Sequence, residues 1–307
     1  MKTWSLAIAW NWEFDEDFVA GIERECAKRD LTTYRIDPRN LSETLEKLKT
    51  GKVLFQAFYD RASDADPAFL PLVRLMQESA NYLINPNFRV QHAIDKATMH
   101  LEFITHGLNV PYTIILAPYN AQSEIRLDAA QLKQIGNPFV IKPANTTGGG
   151  TGVVLNAQTP RDVMESRQLH KNDKYLLQQF IVPQNLDGRR GWFRVYSAFG
   201  QIIPCWWDDL THRYSELSGE DERRFGLGEL RDIMRTIEGI SGLDFFSSEI
   251  ALTENSKFVV VDYVNEVCDM RLQSRYDNGA PDAVVRRIEE LTADAVASRV
   301  HRPVHAV

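Results

Sequence analysis

The chain has 307 residues, 44% of them hydrophobic and 25% charged, which is the balance of a globular protein with a sizeable core and excludes extended disorder. A formal net charge of −7 lacks the basic footprint that a nucleic-acid partner normally requires, and no apolar run reaches the roughly 18 residues of a membrane helix. Cys26, Cys205 and Cys268 form neither a CxxC nor a Cys/His spacing, so no disulfide framework or zinc site is expected and a reducing cytoplasm fits.

Residues 4–10 predict a first strand and not a signal segment, because Asn11, Glu13, Asp15, Glu16 and Asp17 follow at once. Phe18, Ile22 and Cys26 recur at four-residue steps and predict a helix over 17–29. A strand over 31–36, a helix over 41–50 with Leu41, Leu45 and Leu48 patterned amphipathically, and a strand over 53–59 continue the alternation. A helix over 67–78 and the apolar segment 82–84 complete an open α/β domain, placed at residues 1–86.

Asn85-Pro86-Asn87 signals a turn, and residues 90–107 read as one helix closed by a glycine C-cap. A strand over 111–116, a helix over 128–135 and a turn at Gly136-Asn137-Pro138 lead into the strand 139–142. The glycine-rich segment 146–152 then runs into Val153, Val154 and Leu155, a hairpin pattern. Residues 175–182 predict a strand stopped by Pro183, and Asp187-Gly188 a turn before the strand pair 192–199 and 201–207. One helix over 221–240, strands over 247–252 and 257–264, and a final helix over 281–299 complete the chain.

The sharpest chemistry lies in Phe139-Val-Ile-Lys142-Pro143 followed by Thr146-Thr-Gly148-Gly149-Gly150-Thr151-Gly152. A lysine at the end of a buried strand can place its ammonium in a cleft, while neighbouring glycines let backbone N–H groups approach phosphate oxygens. Neither a Walker A pattern nor GxGxxG is present. In these residues the chain resembles the ATP-grasp superfamily, whose nucleotide lies between two α+β lobes beneath a glycine-rich loop. The resemblance implies a fold of class α/β and α+β, with a central lobe at 87–180 carrying the loop and a C-terminal lobe at 181–307 carrying a metal site.

The resemblance also implies roles. Asp95-Lys96, followed by Gly107 and Pro111-Tyr112-Thr113, is similar to the family's first nucleotide-contacting lysine and its continuation, which sets Lys96 beside Lys142 at the phosphates. Leu177-Gln178-Gln179-Phe180-Ile181 is similar to the hinge that holds adenine, with Gln178 where a carboxylate is common. Asp187 is the nearest downstream acid for the ribose hydroxyls, although a turn aspartate explains it equally well. Trp192-Phe193-Arg194 occupies the position of an Asp-x-Arg strand, where Arg194 would stabilise the anionic oxygens of an acyl phosphate and of the tetrahedral intermediate.

Glu249 on one strand and Asp262 with Asn265 on the next form a hard-oxygen set suited to Mg²⁺, or Mn²⁺ in its place, bridging ATP phosphates. Asn265 stands three positions after Asp262, which puts the two side chains on opposite strand faces unless the strand ends or bulges between them; Glu266 is the alternative ligand. Arg271, Trp206, Trp207, Asp208 and Asp209 are candidates for a substrate pocket.

Within the superfamily the pattern looks most like the D-alanine:D-alanine ligase, glutathione synthetase and ribosomal-protein glutamate ligase group. That implies a carboxylate–amine ligase acting on small-molecule carboxylate and amine substrates, with release of ADP and phosphate. No nucleic-acid or membrane partner is implied, and an assembly of identical chains is compatible. Two other readings stay open: a kinase with a hydroxyl acceptor, and a nucleotide-binding regulatory protein without turnover. The Asp262–Asn265 spacing and the tryptophan at position 192 motivate the latter.

Overall fold

Four short strands near the N-terminus form a wholly parallel sheet in the computed structural model, which describes residues 1–146 and 150–300. They are β1 (Lys2–Trp10), β2 (Thr33–Ile36), β3 (Val53–Arg61) and β4 (Tyr82–Ile84), in the order β2-β1-β3-β4. Helices α1 (Glu16–Ala27), α2 (Leu41–Lys49) and α3 (Leu70–Ser79) make the crossovers. Successive side chains of β1 go to opposite faces, so Ala7 and Ala9 join α2 and α3 in one core while Leu6 and Ile8 join α1 in another. Burial on both faces explains why the centre of β1 is apolar without alternation.

The helix covering the second face beside α1 is the last of the chain, Asp282–Val300, whose Val285 and Ile288 share the core of Leu6 and Ile8. Gly21 permits this close approach, since a Cβ there would stand 1.9 Å from Glu289 Oε1. A second tie joins the first sheet to the rest. Arg61, at the end of β3, donates from Nε and Nη2 to Asp15 at 2.9 and 2.6 Å, and from Nη2 to the carbonyl of Cys268 at 2.9 Å.

Residues predicted as one helix over 90–107 form two, α4 (Asn87–Ala93) and α5 (Lys96–Thr105). The break is caused by Asp95, whose extended backbone and carboxylate, accepting from the N–H groups of Ala97 and Thr98 at 3.0 Å, make it the cap of α5. An antiparallel sheet follows, from β5 (Thr113–Leu116), β6 (Phe139–Pro143), β7 (Val154–Ala157) and β8 (Tyr175–Gln179) in the order β5-β8-β6-β7. Helix α6 (Ala129–Ile135) precedes β6; α7 (Pro160–Ser166), unpredicted, is started by a capping box between Thr159 and Asp162. The strand predicted to Val182 ends at Gln179, where pairing with the neighbouring strands stops.

The small hairpin β9 (Asn185–Leu186) and β10 (Arg189–Arg190) opens the last part. Strands β11 (Trp192–Ala198), β12 (Gln201–Asp208), β13 (Arg213–Glu216), β14 (Phe245–Leu252) and β15 (Phe258–Asn265) form an antiparallel sheet in the order β13-β12-β11-β14-β15. The helix predicted over 221–240 is likewise two, α8 (Gly219–Arg224) and α9 (Glu229–Ser241), divided at Gly226, whose φ of +65° ends the first. Leu230, Ile233, Met234 and Ile237 of α9 pack with Phe193, Val195, Phe246 and Ile250, burying one face of this sheet. Its other face is left for the cleft. The C-terminal helix named above is α10.

Candidate active site

A cleft of about 1870 Å³ lies where the three larger sheets meet. The carboxyl ends of the parallel strands contribute Trp12, Asp60, Arg61 and Asn85, the place where open α/β sheets bind ligands. The central sheet contributes Lys142 and Gln178, with Gln179, Phe180 and Ile181 beyond them. Trp192, Arg194 and Tyr196 reach the cleft from alternate positions of β11, and Ser247 and Glu249 from β14, because period-two alternation sends Phe193, Val195 and Ile250 to the core.

Register aligns the charged groups. Arg194 pairs with Glu249 across β11 and β14, and Glu249 with Asp262 across β14 and β15, so the three stand in one row over adjacent strands. Arg194 Nη2 is hydrogen-bonded to Glu249 Oε1, the Trp192 indole donates to Glu249 Oε2 at 3.1 Å, and the Arg194 guanidinium lies 5.0 Å over the Trp207 ring. Trp192 thus stands where the resemblance led to an acid, and it supports the acid of the next strand.

The spacing of Asp262 and Asn265 is resolved by pairing. Ser247 opposes Asn265 and Glu249 opposes Asp262, so two positions on β14 face three on β15 and the extra residue forms a bulge. Asn265 Nδ2 consequently donates to Asp262 Oδ2 at 3.0 Å. Glu266 is buried and turns elsewhere, accepting from Asn85 Nδ2 at 3.1 Å, and burial pushes its carboxyl up to about 8. Asn265, and not Glu266, is the neighbour of Asp262.

Lys96 Nζ lies 3.5 Å from Asp262 Oδ1, and Lys142 Nζ donates to the carbonyl of Val261 at 3.1 Å. Burial pulls Lys142 below the ordinary lysine range, opposed by Asp262 and reinforced by Lys96. Burial acts to raise Asp262, but Lys96, Lys142 and Arg194 together hold its carboxyl far below the ordinary range. For Arg194, burial acts to lower the guanidinium, but Glu249 together with Tyr214, Tyr196 and Asp262 raises it above the ordinary range. Around Asp262, three cations (Lys96, Lys142 and Arg194) and two carboxylates (Glu249 and Asp262) therefore share one part of the cleft. This balance suits a polyanionic ligand carrying a divalent cation, because each carboxylate and each cation can exchange its present partner for one of opposite charge.

Glu249, Asp262 and Asn265 offer the hard oxygens that Mg²⁺ prefers, on neighbouring strands, so the donor set fits. Among the described residues no group of three or more His, Cys, Asp or Glu could hold a metal ion, which leaves ligand oxygens to complete any such shell.

Gly150, with φ of +80°, lines the cleft; Gly152, with φ of +75°, packs against Pro143; Gly148 and Gly149 lie outside the described residues. Gln178 is buried in a directional network, donating from Nε2 to Tyr263 Oη at 2.7 Å and to Thr113 Oγ1 at 3.1 Å. Tyr263 in turn meets His100 Nδ1 at 2.6 Å, and Thr113 donates to the carbonyl of Pro111. Asp187 is not brought to the cleft: it sits at the tip of the β9–β10 hairpin with φ of 53° and pairs with Arg224, as a turn residue does. Arg271, Trp207 and Asp209 line the cleft, whereas Trp206 is in the core and Asp208 accepts from the N–H groups of the turn after β12.

Sequence reasoning missed Tyr263 and His100, which carry no motif, and also the cleft residues Trp12, Asp60 and Asn85. A signal existed for the last three, since each lies at or just beyond the end of a predicted parallel strand.

No protein-family model matches the sequence, and no curated protein matches it significantly. Solved structures do. A RimK domain ATP-grasp protein from Sphaerobacter thermophilus is 19% identical, with a TM-score of 0.63 over 94% of this chain and 98% of that one. The ATP-grasp ligase PsnB, complexed with minimal precursor, Mg and ADP, is 16% identical, with a TM-score of 0.63 over 97% and 99%. The macrocyclase MdnC from Microcystis aeruginosa, bound with the precursor peptide MdnA, is 12% identical, with a TM-score of 0.62 over 94% and 99%. With likeness extending over nearly the full length of each pair, the chain has the ATP-grasp fold.

Proposed function

We propose that the protein is an ATP-dependent carboxylate–amine ligase that forms an amide through an acyl phosphate and releases ADP and phosphate. In this reading residues 1–86 face the substrates, and residues 87–180 and 181–307 enclose the nucleotide. The observation that carries it is the row of Arg194, Glu249 and Asp262 set beside Lys96 and Lys142. Lys96, Lys142 and the glycine-rich segment bind the ATP phosphates, and Glu249, Asp262 and Asn265 hold Mg²⁺. When bound, the metal offsets the negative charge of the phosphates. Arg194 binds the developing oxyanion, a task suited to guanidinium.

Gln178 selects the base. Both of its amide hydrogens are engaged by Thr113 and Tyr263, so its carbonyl oxygen is left to accept from the 6-amino group of adenine. Gln179, Phe180 and Ile181 border the base from the cleft rim.

The cleft also favours a second reading of the substrate. Its volume of about 1870 Å³ exceeds the roughly 300–1000 Å³ of a site for one small molecule, so a peptide carboxylate or amine fits beside ATP. PsnB has been solved in complex with a precursor peptide, PsnA2, and MdnC with the precursor peptide MdnA.

Turnover with Mg²⁺, ATP and panels of amino acids and peptides tests the reaction. The expected result is ADP and free phosphate in equal amounts together with an amide; a stable phosphorylated product without free phosphate identifies a kinase, and tight binding without ADP identifies a regulator. Lys142→Ala is expected to lower kcat/KM for ATP by roughly 10- to 100-fold, the value of a lost charge-assisted hydrogen bond. Unchanged steady-state kinetics in that variant would remove Lys142 from the phosphate site.

A further inference from the structure

Two adjacent residues before β8 hold both of the elements on which the proposed phosphate site depends. Asp173 is buried, and its carboxylate accepts four hydrogen bonds from the two residues that open the glycine-rich segment. Oδ2 accepts from the N–H groups of Asn145 and Thr146 at 2.9 and 3.1 Å and from Thr146 Oγ1 at 2.9 Å, and Oδ1 accepts from Asn145 Nδ2 at 3.0 Å. Lys174 points the other way. Its Nζ donates at 2.6 Å to Oδ2 of Asp95, whose Oδ1 caps the helix that begins at Lys96.

The backbone closes the circuit. The N–H of Ala144 donates to the carbonyl of Lys174 at 2.9 Å, and the N–H of Lys96 donates to the carbonyl of Ala144 at 3.1 Å. Ala144 therefore lies between the two side-chain ties, one residue before Asn145 and hydrogen-bonded to the first residue of α5. Burial acts to raise the Asp95 carboxyl, but Lys174 and the N–H groups of Thr98 and Ala97 hold it below the ordinary range, so it remains a carboxylate. A bare negative charge next to Lys96 would oppose phosphate binding, and Lys174 offsets it.

We propose that Asp173 and Lys174 are positioning residues that couple the entry of the glycine-rich segment to the helix carrying Lys96, so that one dipeptide sets both phosphate-facing elements. The kinetic consequence rests on the ATP site proposed above; the mechanical coupling does not. A ligand that orders one element then favours the productive position of the other. Among the described residues, none of the partners in this network comes from the first sheet.

The test combines hydrogen exchange on the chain without nucleotide with steady-state kinetics. Asp173→Asn places an amide where four donors converge, and it is expected to speed exchange at Ala97 and Thr98 as well as at Asn145 and Thr146. Lys174→Met is expected to speed exchange at the same four amides, and Lys174→Arg to restore it. In turnover each damaging variant raises KM for ATP on the order of tenfold, as for one lost charged hydrogen bond, with KM for the acyl substrate unchanged. The double variant raises it by less than the product of the two, the signature of one unit.

Exchange that quickens only at the element each side chain touches would overturn the coupling. So would a uniform loss in all kinetic constants that follows a fall in melting temperature. If the wild-type chain binds no Mg-ATP, the reading of the cleft fails, and the exchange pattern still decides the coupling by itself.

Discussion

Arg194→Ala is expected to lower kcat by roughly 10²- to 10³-fold, the usual effect of removing a group that stabilises a developing oxyanion, while KM for ATP changes little. Only 15% of the Arg194 side chain is exposed, and Glu249 and Trp207 hold it on two sides, so its orientation is set before any substrate arrives. Among the described residues its buried Nε has no hydrogen-bond partner. Arg194→Lys should recover only part of the loss, because an ammonium keeps the charge but not the planar fork. Steady-state kinetics with ATP and the acyl substrate varied separately check both variants. An unchanged kcat in Arg194→Ala, with intact ATP binding, would take this residue out of the chemistry and weaken the ligase reading against the kinase.

Asp15→Ala is expected to destabilise the fold by about 3–5 kcal/mol, since it strips the partner from a guanidinium that cannot reach water. Arg61 is 2% exposed and Asp15 1%. The Tyr59 hydroxyl at 3.2 Å and the Cys268 carbonyl at 2.9 Å would remain, but neither carries a compensating charge. Replacing both partners together, Asp15→Leu with Arg61→Met, should cost less than the single change, because no unpaired charge is then buried. Urea titrations of the three variants measure this directly. A loss under about 1 kcal/mol in Asp15→Ala would mean that solvent reaches the pair.

Much of the site was legible because its signals are local. Lys142 ends a buried strand just before the glycine-rich segment, and Lys96 follows an N-cap residue; both are read within about ten residues of chain. The parallel strands were legible from their alternation with helices and their apolar runs. The helix breaks were missed although the signals were present. Asp95 directly before Lys96-Ala97-Thr98 is a cap, and Gly226 with Gly228 is a stop, yet an apolar period continued through each and outweighed them.

The sequence by itself determined most of the order of strands and helices, apart from α7, β13 and the two helix breaks, together with the identity of the charged groups and the resemblance that named the fold, since propensity, period and motif act between near neighbours. Tertiary structure decided what depends on partners far along the chain. Whether Asp262 and Asn265 share a face was set by Ser247 and Glu249 on the opposing strand, because a bulge is a property of a pair. The removal of Asp187 from the cleft, the packing of α10 on the first sheet, and the ties of Arg61 to Asp15 and of Lys174 to Asp95 were settled in the same way. Each joins residues that no local pattern relates, and each forms only once the folded chain has brought them together.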